Sequence, residues 1–179
     1  MSVVSKAVFI SRRDTDRDPQ SARAWSARAF VQSVFIIRGW DSSEKRRQDA
    51  QAFARRALSI DPKDTRAMSV LATVFISQAA FEQAVSMARQ ALEVRPDDPG
   101  ALRTLPLALS GQGKTEEAIV LLQETVKRFP KANGAHYHLA LLHTNKATPD
   151  FEAALKSFEA AITEEPPANI LLHRAALLA

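Results

Sequence analysis

Three prolines spaced 34 residues apart, Pro62, Pro96 and Pro130, constrain the fold of this chain more than any other sequence feature. Each closes an amphipathic run of similar pattern: ALSIDP, ALEVRP and TVKRFP. Further positions align at the same offset: Leu71, Leu105 and Leu139; Ala72, Pro106 and Ala140; Phe75, Leu109 and His143; Ala84 and Ala118. Self-similarity at a fixed period predicts a repeat architecture.

Within each period the apolar residues follow a helical spacing, as in Met68, Leu71, Ala72 and Phe75, so two helices and a turn are predicted per repeat. Short side chains would let the paired helices approach closely, and they recur at Ala57, Ala72, Ala84, Ala91, Ala118 and Ala140. Proline would end each second helix, because it lacks an N–H and its ring clashes with the preceding turn. The predicted fold is all-α, a solenoid of antiparallel helix pairs.

This pattern resembles the tetratricopeptide repeat (TPR) family over roughly residues 20 to 179. The matching positions are Leu71, Ala72, Phe75, Ala84, Ala91 and Pro96; Leu105, Leu109, Ala118, Leu122 and Pro130; and, after an insertion of about two residues near 146–150, Leu139, Ala140, Ala154, Phe158, Ala161 and Pro166. An earlier repeat keeps only Ala50, Ala54, Ala57, Leu58 and Pro62. Pro106 departs from the family pattern, and an interior proline there predicts a helix kink.

We expect an N-terminal extension over 1–18 and a repeat domain over 19–179, with repeats near 19–64, 65–98, 99–132 and 133–168 and a final apolar helix at 169–179. The mixed-charge run RRDTDRDP cannot form a core, so such a tail would ordinarily be disordered. We nevertheless expect residues 3–10 to lie along the repeat array, extended or helical. The segment 19–40 is apolar on several faces and is predicted to be a largely buried helix, followed by a cap at Asp41 or Ser43.

Composition excludes several classes of function. The chain has no cysteine, which removes disulfides, thiolate catalysis and cysteine metal sites. No apolar stretch has the length of a membrane span, and the N-terminal apolar run is too short for a signal peptide. We therefore expect a cytoplasmic protein with no membrane association.

The positive charge is concentrated near the N-terminus. Residues 1–50 hold ten Lys or Arg against six Asp or Glu, whereas residues 51–179 hold fourteen of each. The densest basic cluster is Lys45, Arg46, Arg47, Arg55 and Arg56. Because no aromatic residues are interleaved with it, we interpret this cluster as a solvated helix face and do not expect a nucleic-acid partner.

Two motifs resemble chemical sites without completing one. GQGKT at 111–115 lacks the first glycine of a phosphate-binding loop and follows no strand, so a turn between helices is predicted. His136 and His143 could share a helix face as metal ligands, but they occupy positions filled by apolar residues in other repeats, which favours packing. We expect no enzyme activity, cofactor or metal.

The TPR resemblance implies a concave groove lined by the first helix of each repeat. The matching positions are Arg66, Ser69, Thr73, Ile76, Arg103, Leu107, Tyr137, Leu141 and Asn145. They would form a mixed surface with an apolar centre at Leu107, Tyr137 and Leu141, on which Arg103 could pair with an acidic group of a peptide. The residues that bind acidic chaperone tails in some family members are absent.

The sequence thus predicts a non-catalytic adaptor that binds a protein or peptide in this groove. The alternative is a regulatory or dimerisation module of a larger catalytic or transcriptional system. Homodimerisation through the apolar C-terminal helix or the N-terminal segment is a further expectation, while the identity of the partner is not encoded in any recognisable motif.

Overall fold

The structure is a computed structural model that describes residues 3–130, 133–162 and Ala176, with side chains from Phe9 onward except that of Asn133. This part of the chain contains nine α-helices and no strand: α1 Val3–Arg17, α2 Ala22–Ile37, α3 Glu44–Ile60, α4 Thr65–Ser77, α5 Phe81–Val94, α6 Pro99–Gly111, α7 Thr115–Arg128, α8 Asn133–Asn145 and α9 Phe151–Ala161. Within the same residues, no helix combines the length and apolarity needed to cross a membrane.

The three prolines spaced 34 residues apart lie where the sequence predicts them, just after the second helix of a pair. Helices α3, α5 and α7 end at Ile60, Val94 and Arg128, and each proline follows within two residues. The six recurring alanines are fully buried: Ala57, Ala72, Ala84, Ala91, Ala118 and Ala140. The all-α repeat fold is therefore confirmed, with α2 packed on α3, α4 on α5, and α8 on α9.

Two compact units divide the described chain, with the boundary between Ala108 and Leu109 inside α6. Unit 1 has a core of small and branched residues from α2, α3 and α4, including Ala29, Ala54, Leu71 and Val74. Unit 2 has a core centred on Ala140, Phe158 and Ala161. Each unit thus buries its own apolar faces, as stacked helical repeats require.

The N-terminal segment forms a helix that includes the charged run. Helix α1 extends to Arg17 and packs on α2. Thr15 is buried, and its hydroxyl donates to the Arg12 carbonyl (2.8 Å) and accepts from the Arg28 guanidinium (2.7 Å). Of the two conformations proposed for residues 3–10 the helical one is observed, and the charged run that would ordinarily be disordered continues the same helix.

Helix α2 also buries a different set of residues from the one expected. Its buried positions are Ser26, Ala29, Gln32 and Ser33, whereas Phe30 and Ile37 are exposed. Three of these four buried side chains are small, and the exposed Phe30 and Ile37 are seven residues apart on a different face of the helix. The prediction of a largely buried segment is thus wrong for Phe30, Ile37 and the following Trp40.

Several local predictions are confirmed. Ser43 caps α3 by accepting from the Arg46 amide (3.3 Å). The GQGKT segment forms the turn between α6 and α7, with Gly113 at φ +80°. Helix α6 continues through the buried Pro106, while the kink itself stays a prediction. The expected C-terminal helix at 169–179 lies outside the described residues apart from Ala176.

Candidate binding groove

A groove of about 600 Å³ opens on unit 1 between α1, α2, α4 and α6. Four of the residues predicted from the sequence line it: Arg66, Ser69, Thr73 and Arg103. The remaining lining is Ile10, Ser11, Asp14, Ala27, Phe30, Val31, Ser33, Val70, Arg95, Asp98, Pro99 and Gly100. We refer to this site as the unit 1 groove.

The polar side of the unit 1 groove is organised by Asp98, which is only 2% exposed. Its Oδ1 atom accepts from the Ala101 amide and the Ser69 hydroxyl, both at 2.9 Å. Its Oδ2 atom accepts from the Thr65 hydroxyl at 2.8 Å and from the Arg95 guanidinium. Asp98 therefore caps α6 and ties this helix to α4.

The pKa of Asp98 reflects this environment. Burial raises the pKa, but the hydrogen bonds from Arg95, Ala101, Thr65 and Ser69 outweigh it, so the pKa lies below the ordinary value of 3.8. Hydrogen bonds that favour the charged form of a carboxyl lower its pKa. Asp98 is consequently an anion whose role is to fix the wall of the groove.

Gly100 allows α6 to approach α4 closely at this wall. A Cβ atom added to Gly100 would lie 2.7 Å from the Cβ of Ser69 and 3.1 Å from Asp98 Oδ1. Such a separation is too short for two carbon atoms. The predicted groove residue Ser69 donates a hydrogen bond to Asp98. It also occupies space that a side chain at position 100 would fill, so its position requires glycine there.

Arg103 stands on the same wall without a direct partner. It is half-buried and makes no hydrogen bond or ion pair with any residue that the structure describes. Burial lowers the pKa of Arg103 from its ordinary value, and the nearby charge of Asp98 partly opposes that effect. Arg66 is exposed on α4 and likewise has no ion-pair partner among the described residues.

Helices α1 and α2 contribute the exposed apolar surface of the groove. Ile10 and Phe30 line it and are each 46% exposed. Val31 on α2 and Val70 on α4 add to this apolar surface, while Ser11, Asp14 and Ser33 are the polar residues that α1 and α2 contribute to the lining. The groove thus combines exposed apolar side chains with arginines, a pairing that suits a ligand with both kinds of group.

The other predicted groove residues lie elsewhere. Ile76 and Leu107 are half-buried on α4 and α6 and do not line the unit 1 groove. In unit 2, Tyr137 and Leu141 pack against the core of Ala140, Phe158 and Ala161, while Asn145 is exposed at the end of α8. The apolar centre expected from Leu107, Tyr137 and Leu141 draws on both units and stays a prediction.

The histidines have no ligand geometry in the described chain. His143 is buried, which confirms its predicted packing role, and its Nδ1 atom has no hydrogen-bond partner. His136 places Nε2 3.1 Å from the Pro130 carbonyl oxygen. Among the described residues, no group of three or more His, Asp or Glu side chains is arranged to hold a metal ion.

The basic cluster is largely paired with acids on its own helix or next to it. Lys45 lies 3.3 Å from Asp49, Arg47 lies 2.9 Å from Glu44, and Arg46 lies 2.7 Å from Asp41. The Arg46 guanidinium also lies 4.2 Å from the centre of the Phe35 ring. These contacts fit a solvated helix face, as the sequence suggests.

Most of the residues that line the groove were not predicted as groove residues, and Asp98 is the most informative of them. A signal for Asp98 exists, because Asp64 stands 34 residues earlier and caps α4 in the same way, through the Ala67 amide at 2.9 Å. Ile10 belongs to the segment that was expected to lie along the repeat array, but its place in the groove wall was not predicted.

Comparison with known structures supports the fold. A solved TPR protein of Thermus thermophilus, TTC0263, matches with a TM-score of 0.80 and 16% identity, covering 98% of this chain and 90% of that one. Human IFIT1, solved as a dimer with a capped RNA, matches with a TM-score of 0.81 and 16% identity over 98% of this chain and 41% of its own. YrrB, described as a TPR protein with an unusual peptide-binding site, matches with a TM-score of 0.57 and 17% identity over 93% and 81%.

Family models give the assignment. No curated protein matches the sequence. Two tetratricopeptide repeat models do match it, one over residues 43–105 and the other over residues 107–170. Together these matches cover more than two thirds of the chain, and the helix pairs, buried alanines and period prolines agree with them. The chain belongs to the tetratricopeptide repeat family.

Proposed function

We propose that this protein is a non-catalytic adaptor that holds a peptide segment of another protein in the unit 1 groove. TPR proteins are protein-interaction scaffolds, and the observation that carries the finer proposal is the groove itself. Four residues expected to face a ligand, Arg66, Ser69, Thr73 and Arg103, line one concavity with an open apolar wall. YrrB, a structural neighbour, is described as having a peptide-binding site.

The size of the unit 1 groove and the hydrogen bonds of its wall support a short extended ligand. A space of about 600 Å³ falls within the range typical of small-ligand pockets, about 300–1,000 Å³, and so accommodates a few residues of a peptide. Its polar wall is fixed by the Asp98 hydrogen bonds. A wall that is ordered before binding reduces the entropy lost when a ligand is bound.

The test is a selection from random peptides displayed on phage, followed by titration of the tightest peptide by fluorescence anisotropy. Phe30→Ala removes an exposed groove residue and should weaken binding by about tenfold or more. Ile37→Ala is the matched control, because Ile37 is a similarly exposed apolar residue on α2 that does not line the groove. Equal losses in both variants, or recovery of no peptide, would overturn the proposal.

The regulatory or dimerisation alternative is favoured by one observation, the participation of α1 in the groove through Ile10, Ser11 and Asp14. An N-terminal helix that forms part of a binding wall can control access to it. Light scattering of the full chain and of a chain lacking residues 1–18 tests this reading. A dimer that is lost on truncation would support the alternative, while monomers in both cases would contradict it.

A further inference from the structure

The charges that line the unit 1 groove do not cancel. The lining contains Arg66, Arg95 and Arg103 against Asp14 and Asp98. Arg95 is paired with Asp98, and the cation nearest to Asp14 is Arg13 on the same helix, at 3.9 Å. Arg66 and Arg103 are therefore cations in the groove wall without an ion-pair partner among the described residues.

Asp98 cannot serve as that partner for Arg103. A carboxylate offers about four acceptor sites on its two oxygens. Oδ1 is used by Ser69 and Ala101, and Oδ2 by Thr65 and Arg95. The charge of Asp98 acts on Arg103 through space, but its acceptor sites are already occupied. The donors of Arg103 are thus available to a ligand.

A half-buried guanidinium with available donors favours a carboxylate. Arginine presents its N–H groups in a planar fork that matches the two oxygens of a carboxylate. The interaction is stronger where water is partly excluded, as on this wall. In the same lining, Ile10 and Phe30 expose apolar surface, which suits an aliphatic side chain next to the acidic one, and the Asp14 carboxylate on α1 has Arg13 beside it at 3.9 Å.

We propose that the unit 1 groove selects an acidic peptide, with a carboxylate bound by Arg103 and Arg66 and an adjacent aliphatic side chain held against Ile10 and Phe30. This inference rests on the proposed function and specifies the chemistry of its ligand. It also gives α1 a role in recognition, because Ile10 lies outside the repeats. The N-terminal helix would then form part of the binding site.

The test uses the full chain and three labelled octapeptides that alternate leucine with glutamate, glutamine or lysine. We expect the glutamate peptide to bind about tenfold or more tightly than the glutamine peptide, since hydrogen bonds between charged groups exceed neutral ones by that order. Arg103→Gln should remove most of the preference, Arg103→Lys should keep part of it, and Arg103→Gln combined with Arg66→Gln should abolish it. Arg55→Gln, an exposed arginine on α3 outside the groove, should leave it unchanged.

A salt titration of the unmodified protein keeps the test decisive if Arg103→Gln does not fold. Affinity for the glutamate peptide should fall as salt rises from 50 to 500 mM (roughly 14 to 4 Å in screening length), whereas affinity for the glutamine peptide should change little. Ile10→Ala should weaken both peptides by a similar factor, because it removes only apolar contact. Circular dichroism melting would confirm that each variant is folded.

The outcomes separate this inference from the proposed function. If the glutamine or lysine peptide binds as tightly as the glutamate peptide and Phe30→Ala weakens it, the groove binds peptides but does not select acids. If no octapeptide binds and the phage selection also recovers no peptide, the proposed peptide binding and the proposed acid selectivity are both wrong. If an oligoadenylate binds more tightly than the glutamate peptide and Arg103→Gln removes that binding, the ligand is a nucleic acid and the peptide assignment is wrong.

Discussion

Asp98 receives most of the polar contacts of the unit 1 groove, and its role differs from that of the aspartate one period earlier. Asp64 caps α4 through a single amide. Asp98 caps α6 and also accepts from Thr65, Ser69 and Arg95. Aspartate at equivalent positions of two repeats thus has different roles. Asp64 caps its own helix, whereas Asp98 also connects α6 to α4.

The substitution Asp98→Asn should lower the free energy of unfolding at pH 7 by about 2–4 kcal/mol, because buried donors lose a charged acceptor. The pKa of Asp98 is lowered in the folded state, so its contribution is present above the unfolded pKa of about 3.8 and is lost as pH falls through the folded value. Urea unfolding at pH 7 and below pH 4 should show the difference between the proteins shrinking. Asp64→Asn, the matched control, should cost only about 1 kcal/mol; an equal cost would contradict this account.

Gly100 and Gly134 provide a matched pair for testing helix packing. Alanine at position 100 would meet Ser69 at 2.7 Å, whereas nothing lies within 4 Å of a Cβ at position 134. Gly100→Ala should destabilise the protein by about 1–3 kcal/mol through overpacking. Gly134→Ala should stabilise it by up to about 1 kcal/mol through helix propensity. The melting temperatures of the two variants measure these opposite effects. A higher melting temperature in Gly100→Ala would show that α4 and α6 are not in close contact.

His143 gives unit 2 a predicted dependence on pH. Burial lowers its pKa below 6.5, with Lys146 acting in the same direction and Asp150 and Glu116 opposing. The unfolded chain therefore takes up this proton first, and the free energy of unfolding falls as pH drops below about 6.5. His143→Leu should remove this part of the acid sensitivity and stabilise the protein at pH 8 by about 1 kcal/mol, since a buried nitrogen without a hydrogen bond is replaced.

Urea unfolding at pH 8 and pH 5.5 measures both effects. His136→Gln serves as the control, because His136 is less buried than His143 and its Nε2 atom lies where it can donate to the Pro130 carbonyl oxygen. It should leave the pH dependence in place. If the free energy of unfolding of His143→Leu depends on pH as strongly as that of the unmodified protein, His143 is not the source of the acid sensitivity.

At the scale of whole helices, one polar clamp in the described chain links α1 to its neighbours. The Thr15 hydroxyl accepts from Arg28, and the Arg28 guanidinium lies 4.3 Å from the centre of the Phe53 ring and 5.5 Å from that of Trp25. These contacts connect α1 to α2 and α3. Because α1 supplies part of the wall of the unit 1 groove, the clamp also supports that wall.

Thr15→Val keeps the shape of the side chain and removes the hydroxyl, so it should loosen α1 selectively. Amide hydrogen exchange in residues 9–17 should accelerate about 5- to 30-fold, which corresponds to a loss of roughly 1–2 kcal/mol. Exchange in α4 and α5 should not change. Asp16→Asn, at an exposed position on the same helix, is the control, and a uniform acceleration across the protein would indicate global destabilisation instead.

Helices inside the repeat pattern could be predicted from the sequence because their determinants are local. Prolines, alanines and caps act within a few residues, and Pro62, Ala84 and Ser43 all have the roles predicted for them. Helix α1 could not be predicted in this way, since its stability depends on Arg28, thirteen residues beyond Thr15. The exposed face of α2 was missed because apolar content does not reveal which side packs.

In the groove, too, some residues could be predicted from the sequence, whereas others depend on how the helices pack. Arg66, Ser69, Thr73 and Arg103 follow from the period and from the family resemblance. The hydrogen bonds of Asp98 and the approach of Gly100 depend on how α4 and α6 meet in space. Sequence reasoning therefore located the wall of the groove but not the residues that hold it in place.

At the scale of the whole molecule, the protein consists of two compact units, each with its own core, and the unit 1 groove lies entirely within the first. The proposed binding function can therefore be tested on residues of unit 1 alone. The arginines of the lining come from α4, α6 and the end of α5, and its exposed apolar residues come from α1 and α2. An adaptor built in this way would recognise its partner through a short segment rather than a large surface.

Photo-cross-linking tests this central claim most directly. The tightest peptide from the phage selection, carrying a benzophenone at its centre, is irradiated with the full chain, and the modified residues are located by mass spectrometry. The account predicts cross-links at the groove residues Phe30, Val31, Val70 and Thr73, and their loss when unlabelled peptide competes. Competed cross-links that fall mainly on α5 or on unit 2 would contradict it.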